Sequence, residues 1–242
     1  DPAVLVLDPN GQWVIPLLGG HSSGAEQLAR ELAADLGGQA VLTGACASDH
    51  RLALDSFGES WGWRRGGSTD AWRTLMQEHA RGHAVRIHQN KGAIDWQRLS
   101  AGQGLVAESP DSAQLSIGAE LQAPCRWHPA SLWLGVGCER NTSLTLVERA
   151  IDQALEEAGL AVEAVAGLAS ADRKADEAAL LQLRDRREWP FRTYSAERLD
   201  AIDVPTPSEV VRSELGTASV AEAAALLAAG DRSEEHTSEL QS

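Results

Sequence analysis

Residues 19–24 read Gly19-Gly20-His21-Ser22-Ser23-Gly24, a histidine set among small residues. Gly19 and Gly20 let the backbone bend sharply and let a ligand approach it closely. Ala25, Leu28, Ala29, Leu32, Ala33 and Leu36 follow at helical spacing, so residues 22–25 stand at a helix start. Unpaired N–H groups and the helix dipole favour an anion there. An imidazole titrates near neutrality. His21 is therefore a candidate general acid/base, beside a cradle of amides from Ser22 to Ala25 that suits an oxyanion or a carboxylate, and Gly19, Gly20, Ser22, Ser23 and Gly24 are candidate substrate-binding residues. The plainer alternative is a loop histidine that only hydrogen-bonds the turn.

Three further stretches have polar residues where strands give way to helices. In residues 135–143, Gly-Val-Gly-Cys-Glu-Arg-Asn-Thr-Ser, Arg140 can grip a carboxylate through two parallel N–H bonds, and Thr142 can cap or bind. The stretch lacks the Gly-Lys-Ser/Thr of a phosphate loop and the glycine spacing of the dinucleotide fingerprint. A tight turn with a capped helix is the alternative. Residues 170–177 follow a buried-type strand, where α/β proteins place ligands. Lys174 with Asp172 forms a candidate binding pair there, and a solvated charge run is the alternative. In Pro205-Thr206-Pro207-Ser208-Glu209 the prolines fix an extended approach and Ser208 opens a helix. Glu209 is then a carboxylate base or a partner of the helix dipole. His79 and His83 are four residues apart, but neither they nor His50 and His88 come with a third ligand at metal spacing, so no side-chain metal site is expected.

The elements that must position these groups follow an α/β order. Residues 3–7 and 12–18 read as two strands about an Asp-Pro-Asn-Gly turn, although Pro16 sits poorly at a central hydrogen-bonded position. The helix over 25–36 has capping-box spacing at Ser23 and Glu26 and stops at Gly37-Gly38, before a strand over 40–43. Residues 59–130 hold Trp61, Trp63, Trp72, Trp96 and Trp127 among many glycines, with a helix expected near 70–80 and strands near 84–88, 105 and 115. From 132 the pattern renews: strand, helix marked by Leu144, Val147, Ile151, Leu155 and Ala158, strand at 165–169, helix at 176–187, strand at 191–194, then helices at 208–215 and 219–229, the last with capping-box spacing at Ser219 and Glu222. The fold class is thus α/β. The expected division is a layered amino-terminal α/β domain (1–58), a small middle domain (59–130) and a carboxyl-terminal α/β domain (131–231).

The last eleven residues, Arg-Ser-Glu-Glu-His-Thr-Ser-Glu-Leu-Gln-Ser, have one apolar residue and no periodicity. They match, letter for letter, the translation of a common sequencing-adapter oligonucleotide, so residues 232–242 are expected to be a non-native tail. The formal charge of −14 disfavours a nucleic-acid binder, which needs a basic footprint. An anionic ligand would need local help from amides or a few cations. No apolar run is long enough for a bilayer, and three scattered cysteines fit neither a disulfide frame nor a metal knuckle, so a reducing cytoplasm is the expected home.

Taken in order, five pieces resemble the cobalt-precorrin-5A hydrolase family of cobalamin biosynthesis: DPAVLVLD, VIPLLGGH with GAEQLARELA, LGVGCERNTS, ASADRKADEAALL and PTPSEVVRSELGTASVAEAAALLAAG. The resemblance implies a three-part architecture. It implies a cytoplasmic hydrolase of carbon–carbon bonds on the anaerobic vitamin B12 route, which opens a δ-lactone on cobalt-precorrin-5A and releases acetaldehyde to give cobalt-precorrin-5B. Cobalt then belongs to the substrate and no protein cofactor is needed. The implied partners are the cobalt-precorrin and a precorrin methyltransferase, separate or fused, with no nucleic acid or membrane. Against the family pattern the chain begins inside the first domain and stops before the last strand. The alternatives are a non-catalytic corrinoid-binding or handover protein, and the front part of a fusion with a precorrin-3B methyltransferase.

Overall fold

The computed structural model describes residues 2–18, 24–42, 52–99, 104–204 and 220–239. Its architecture is mixed α/β, with three separate sheets among the described residues. The amino-terminal sheet opens on a hairpin, β1 (Val4–Leu7) and β2 (Trp13–Leu18), antiparallel. The Asp8 carboxylate closes the turn by accepting from the N–H groups of Trp13 at 2.6 Å and Asn10 at 3.1 Å. The Trp13 bond in particular holds this carboxyl below the ordinary aspartate range. β3 (Gln39–Ala40) joins β2 in parallel, so β2 is central. β3 pairs only with Trp13 and Val14, and the missing N–H of Pro16 therefore interrupts no bond to it. Helix α1 (Ala25–Leu36) covers the sheet with Ala29 and Ala33 against Val14. Of the capping box expected at the start of this helix, Ser23 lies outside the described residues. The N-cap of the helix is Gly24, at φ 68 and without a side-chain cap bond. A residue without Cβ enters that left-handed conformation at no steric cost.

The middle sheet has the order β4-β8-β7-β5-β6, from β4 (Arg64–Gly67), β5 (Val85–Gln89), β6 (Leu105–Ala107), β7 (Leu115–Ile117) and β8 (Cys125–His128). Only the β4–β8 pair is antiparallel. Helix α2 (Thr69–Ala80) begins where the Ser68 hydroxyl accepts from the Ala71 N–H at 3.1 Å. A single turn, α3 (Trp96–Leu99), follows β5. The crowded tryptophans form the core: Trp63, Trp72, Trp96 and Trp127 are buried with Phe57, Leu54, Leu115 and Ile117. Burying an indole is favourable when its N–H finds an acceptor. Trp127 donates to the Leu54 carbonyl at 2.9 Å, Trp72 to the Gly66 carbonyl at 2.8 Å and Trp96 to the Gln89 side chain at 2.9 Å. β4 and β8 are absent from the sequence reading, and in β4 the reason is that Arg-Arg-Gly-Gly contains no strand-forming type. Its extended form comes from pairing with β8 across all four residues.

The third sheet is parallel, with β10 (Val165–Ala171) between β9 (Leu132–Gly135) and β11 (Phe191–Tyr194). All seven residues of β10 are buried, as a central parallel strand requires. Helices α4 (Leu144–Glu157) and α5 (Ala178–Arg187) supply one core, with Val147, Leu155, Leu180 and Leu183 against Val165 and Leu168. Helices α6 (Ala196–Asp200) and α7 (Val220–Glu239) supply another, with Leu199, Ala223, Ala224 and Ala228 against Ala169, Ala171 and Tyr194. α7 lies so close to β9 that a Cβ at Gly135 would collide with the Ala221 carbonyl. The segment after β7 is tied to the third-sheet region by backbone bonds, Ala161 N–H to the Ala119 carbonyl at 2.8 Å and Leu121 N–H to the Gly159 carbonyl at 3.0 Å, beside a buried patch of Ala119, Ala161 and Ala164.

Candidate functional site

Two loops meet at the carboxyl ends of β9 and β10, the place where parallel sheets present ligand-binding groups. The first, residues 136–143, turns back through Asn141 at φ 63 and enters α4 at Ser143, whose hydroxyl accepts from the Leu146 N–H at 3.3 Å. The Thr142 hydroxyl donates to the Glu139 carbonyl at 2.8 Å and tightens the same turn. The second loop is a 3₁₀ turn, Asp172–Lys174, leading to the N-cap of α5 at Glu177. The Ser170 hydroxyl, fully buried, donates to the Val136 carbonyl at 2.7 Å and joins the two strand ends.

The charged groups interlock. Arg140 donates one guanidinium N–H to Asp176 at 2.6 Å and another to the Arg173 carbonyl at 2.7 Å. That bond holds the Asp176 carboxyl below its ordinary range and pushes Arg140 upward. Lys174 and Glu177 are both buried, 6% and 3% exposed, with Nζ 3.5 Å from Oε2. Of the candidate binding pair, Asp172 is exposed, while the lysine turns inward to Glu177, where burial makes an opposite charge necessary. The other Glu177 oxygen accepts from the Asn141 N–H at 3.0 Å, and Arg140 Nη1 lies 3.8 Å from Oε2. Beside these loops an apolar cleft of about 770 Å³ runs between β9 and α4, with Thr142, Cys138, Leu146 and Ile151 in its wall.

Of the residues singled out from sequence, Arg140, Thr142, Asp172 and Lys174 stand on these two adjoining loops. Gly24 lies elsewhere, at the start of α1, where its carbonyl accepts from the Leu28 N–H at 2.9 Å. Gly19, Gly20, His21, Ser22 and Ser23, and likewise Ser208 and Glu209, fall outside the described residues. Among the described residues no three His, Cys, Asp or Glu side chains are grouped to hold a metal ion, and no helix is long and apolar enough to cross a membrane. Cys125 and Cys138 are free thiols, and burial pushes the Cys125 thiol up to about 11, which removes it as a nucleophile near neutrality.

The sequence has relatives over almost all of its length. Residues 1–47 match the family model described as Cobalamin synthesis G N-terminal, and residues 132–240 match Cobalamin synthesis G C-terminus. The cobalt-precorrin-5A hydrolase of Salmonella typhimurium is 32% identical over 245 residues, which cover 94% of this chain and 68% of that protein. The chain belongs to the cobalamin synthesis G family. A second family relative, the cobalt-precorrin-5A hydrolase of Priestia megaterium, is 29% identical over 252 residues, 95% of this chain and 66% of that protein. This member of the family thus spans about two thirds of the length of the curated relatives it matches. Protein CobE of Sinorhizobium is 39% identical over 103 residues, 42% of this chain and 67% of CobE. A crystal structure of CobE matches 40% of this chain and 70% of its own at 36% identity, with a TM-score of 0.37.

In this cobalamin synthesis G protein, sequence reasoning missed Glu177, Asp176 and Asn141. A signal for Glu177 was present: a glutamate stood where helix starts favour Ser, Thr, Asp or Asn, three residues after a lysine. Asn141 gave only its residue type, since asparagine is enriched in the left-handed region but the turn around it decides whether it goes there.

Proposed function

We propose that the protein is a cobalt-precorrin-5A hydrolase, which opens the δ-lactone of cobalt-precorrin-5A and releases acetaldehyde to give cobalt-precorrin-5B. The observation that carries this reading is the family relationship with proteins of that name along nearly the whole chain. Cobalt enters as part of the substrate. Water adds to the lactone carbonyl, the ring C–O bond breaks and the freed oxygen takes a proton. The new hydroxyl then gives up its proton as the adjacent C–C bond breaks: the carbon that bears it leaves as the aldehyde, and the electron pair stays on the macrocycle, which takes a proton in its place. His21 serves as the general base that takes the proton from water and as the acid that returns it. The amides of Gly19, Gly20, Ser22, Ser23 and Gly24 hold the developing oxyanion, and Ser208 and Glu209 contact the macrocycle edge. Arg140 and Lys174, with Thr142 and Asp172 beside them, hold peripheral carboxylates. The overall negative charge of the chain makes such local cations necessary.

The test is to incubate full-length protein with cobalt-precorrin-5A and assay acetaldehyde. His21→Ala should lower lactone opening by ~10²-fold or more, the usual scale for an acid/base group. Near-normal turnover by that variant would end the histidine role. The second reading, corrinoid binding without turnover, is favoured by the match of CobE to only 103 residues, a length too short to include the His21 stretch together with the carboxyl-terminal loops. Tight binding of cobalt-precorrin-5A with no acetaldehyde would select it.

A further inference from the structure

Glu177 occupies the N-cap position of α5, yet its side chain makes no cap bond to that helix. Instead the carboxylate reaches across to the loop after β9. Oε1 accepts from the Asn141 N–H at 3.0 Å, while Oε2 faces Lys174 Nζ at 3.5 Å and Arg140 Nη1 at 3.8 Å. At 3% exposure this is a costly place for a charge. A buried ion pair is a weak source of stability, and an apolar pair of similar volume is often as stable. Three consequences of the arrangement point to positioning. Asn141 is held in the left-handed region, at φ 63. The Lys174 ammonium has three donors, and Glu177 is the one described acceptor in its reach, so two donors remain for another anion. Both cations lie within 3.8 Å of a single oxygen, so Nη1 and Nζ are no more than about 7 Å apart, a separation that one further carboxylate can bridge.

We propose that Glu177 is the positioning residue of this site: its buried carboxylate fixes the Asn141 turn and the Lys174 ammonium in one geometry, so that Lys174 and Arg140 are presented to the same carboxylate side chain of the substrate. The substrate named here rests on the reaction proposed above; the geometry does not. Asp176 is the exposed carboxylate that gives way, since it fills the outer side of Arg140 while Glu177 fills the inner.

Two variants of the full-length protein test the assignment, with two readouts. In Glu177→Ala, hydrogen exchange at the Asn141 amide should speed up by ~10-fold or more beyond any rise common to the β10 amides, which report the stability lost when Lys174 is left unpaired. The KM for cobalt-precorrin-5A should rise by ~10-fold while kcat stays within about twofold, the pattern of lost uniform binding. In Glu177→Gln the amide oxygen still accepts from Asn141, so protection returns. KM stays high, because Gln places no negative charge beside Lys174. Unchanged exchange and KM in both variants would overturn the proposal, as would a rise at Asn141 no larger than the rise through β10 and α5, which marks a merely structural residue. If the wild-type protein releases no acetaldehyde, the proposed reaction falls, and the exchange pattern of the two variants still decides whether Glu177 holds the turn.

Discussion

His128 shows how far a single side chain can be set by its surroundings. Its Nδ1–H donates to the Gly118 carbonyl at 2.8 Å, which leaves Nε2 as the acceptor, buried and with no hydrogen-bond partner among the described residues. Arg126 Nε is in the same state, and both lie against the bare Cα of Gly66. A proton on Nε2 would be a buried donor with no acceptor among the described residues. Burial accordingly lowers the His128 pKa, outweighing the Gly118 hydrogen bond and the carboxylates of Glu163 and Glu120, which raise it. The unfolded chain therefore binds the proton more readily than the folded one. Stability should be full above the unfolded value of about 6.5 and fall as pH drops below it. In His128→Asn, where the amide nitrogen can replace Nδ1, the pH dependence of unfolding between about 5 and 7 should be flatter than in the wild type. Equal slopes in the two proteins would refute the assignment to His128.

At the scale of elements, the meeting of α7 with β9 is governed by one missing side chain. Gly135 lets the Ala221 carbonyl rest directly on the strand, and the small residues Ala223, Ala224 and Ala228 keep the rest of the helix close. Gly135→Ala should therefore destabilise the third sheet by about 1–3 kcal/mol, the scale of an overpacked contact. Gly137→Ala is the matched control, since a Cβ there meets only the Ala221 methyl at 4.0 Å and should cost little. Urea denaturation of both variants measures the difference, and similar midpoints would show that α7 yields easily. The helices and strands of residues 132–194 were legible in advance because their signals are local: apolar residues recur at three and four in α4, and β10 is an unbroken run of small and apolar types. β4 was not legible, because only β8 makes Arg-Arg-Gly-Gly a strand.

For the whole molecule the deciding quantity is charge. With −14 overall, the chain repels a polycarboxylate ligand at long range, while the few cations at the β9 and β10 loops act only at contact. The association rate of the proposed substrate, cobalt-precorrin-5A, should therefore rise with ionic strength over about 0.01–0.15 M, as screening removes the repulsion. Stopped-flow absorbance measures it. A rate that falls with salt would mean that a local positive field outweighs the net charge and steers the substrate in.

The sequence by itself determined the α/β class, the family and the two loops that carry Arg140 and Lys174, because strand and helix periodicity and turn residues are properties of neighbours along the chain. Only the tertiary structure decided which charges meet. Glu177 and Asn141 are 36 residues apart, as are Arg140 and Asp176, and nothing local distinguishes Asp172 from Glu177 as the partner of a lysine. The choice falls to Glu177 because the packing of α5 carries it into the interior with Lys174, where a lone charge is too costly to leave unpaired.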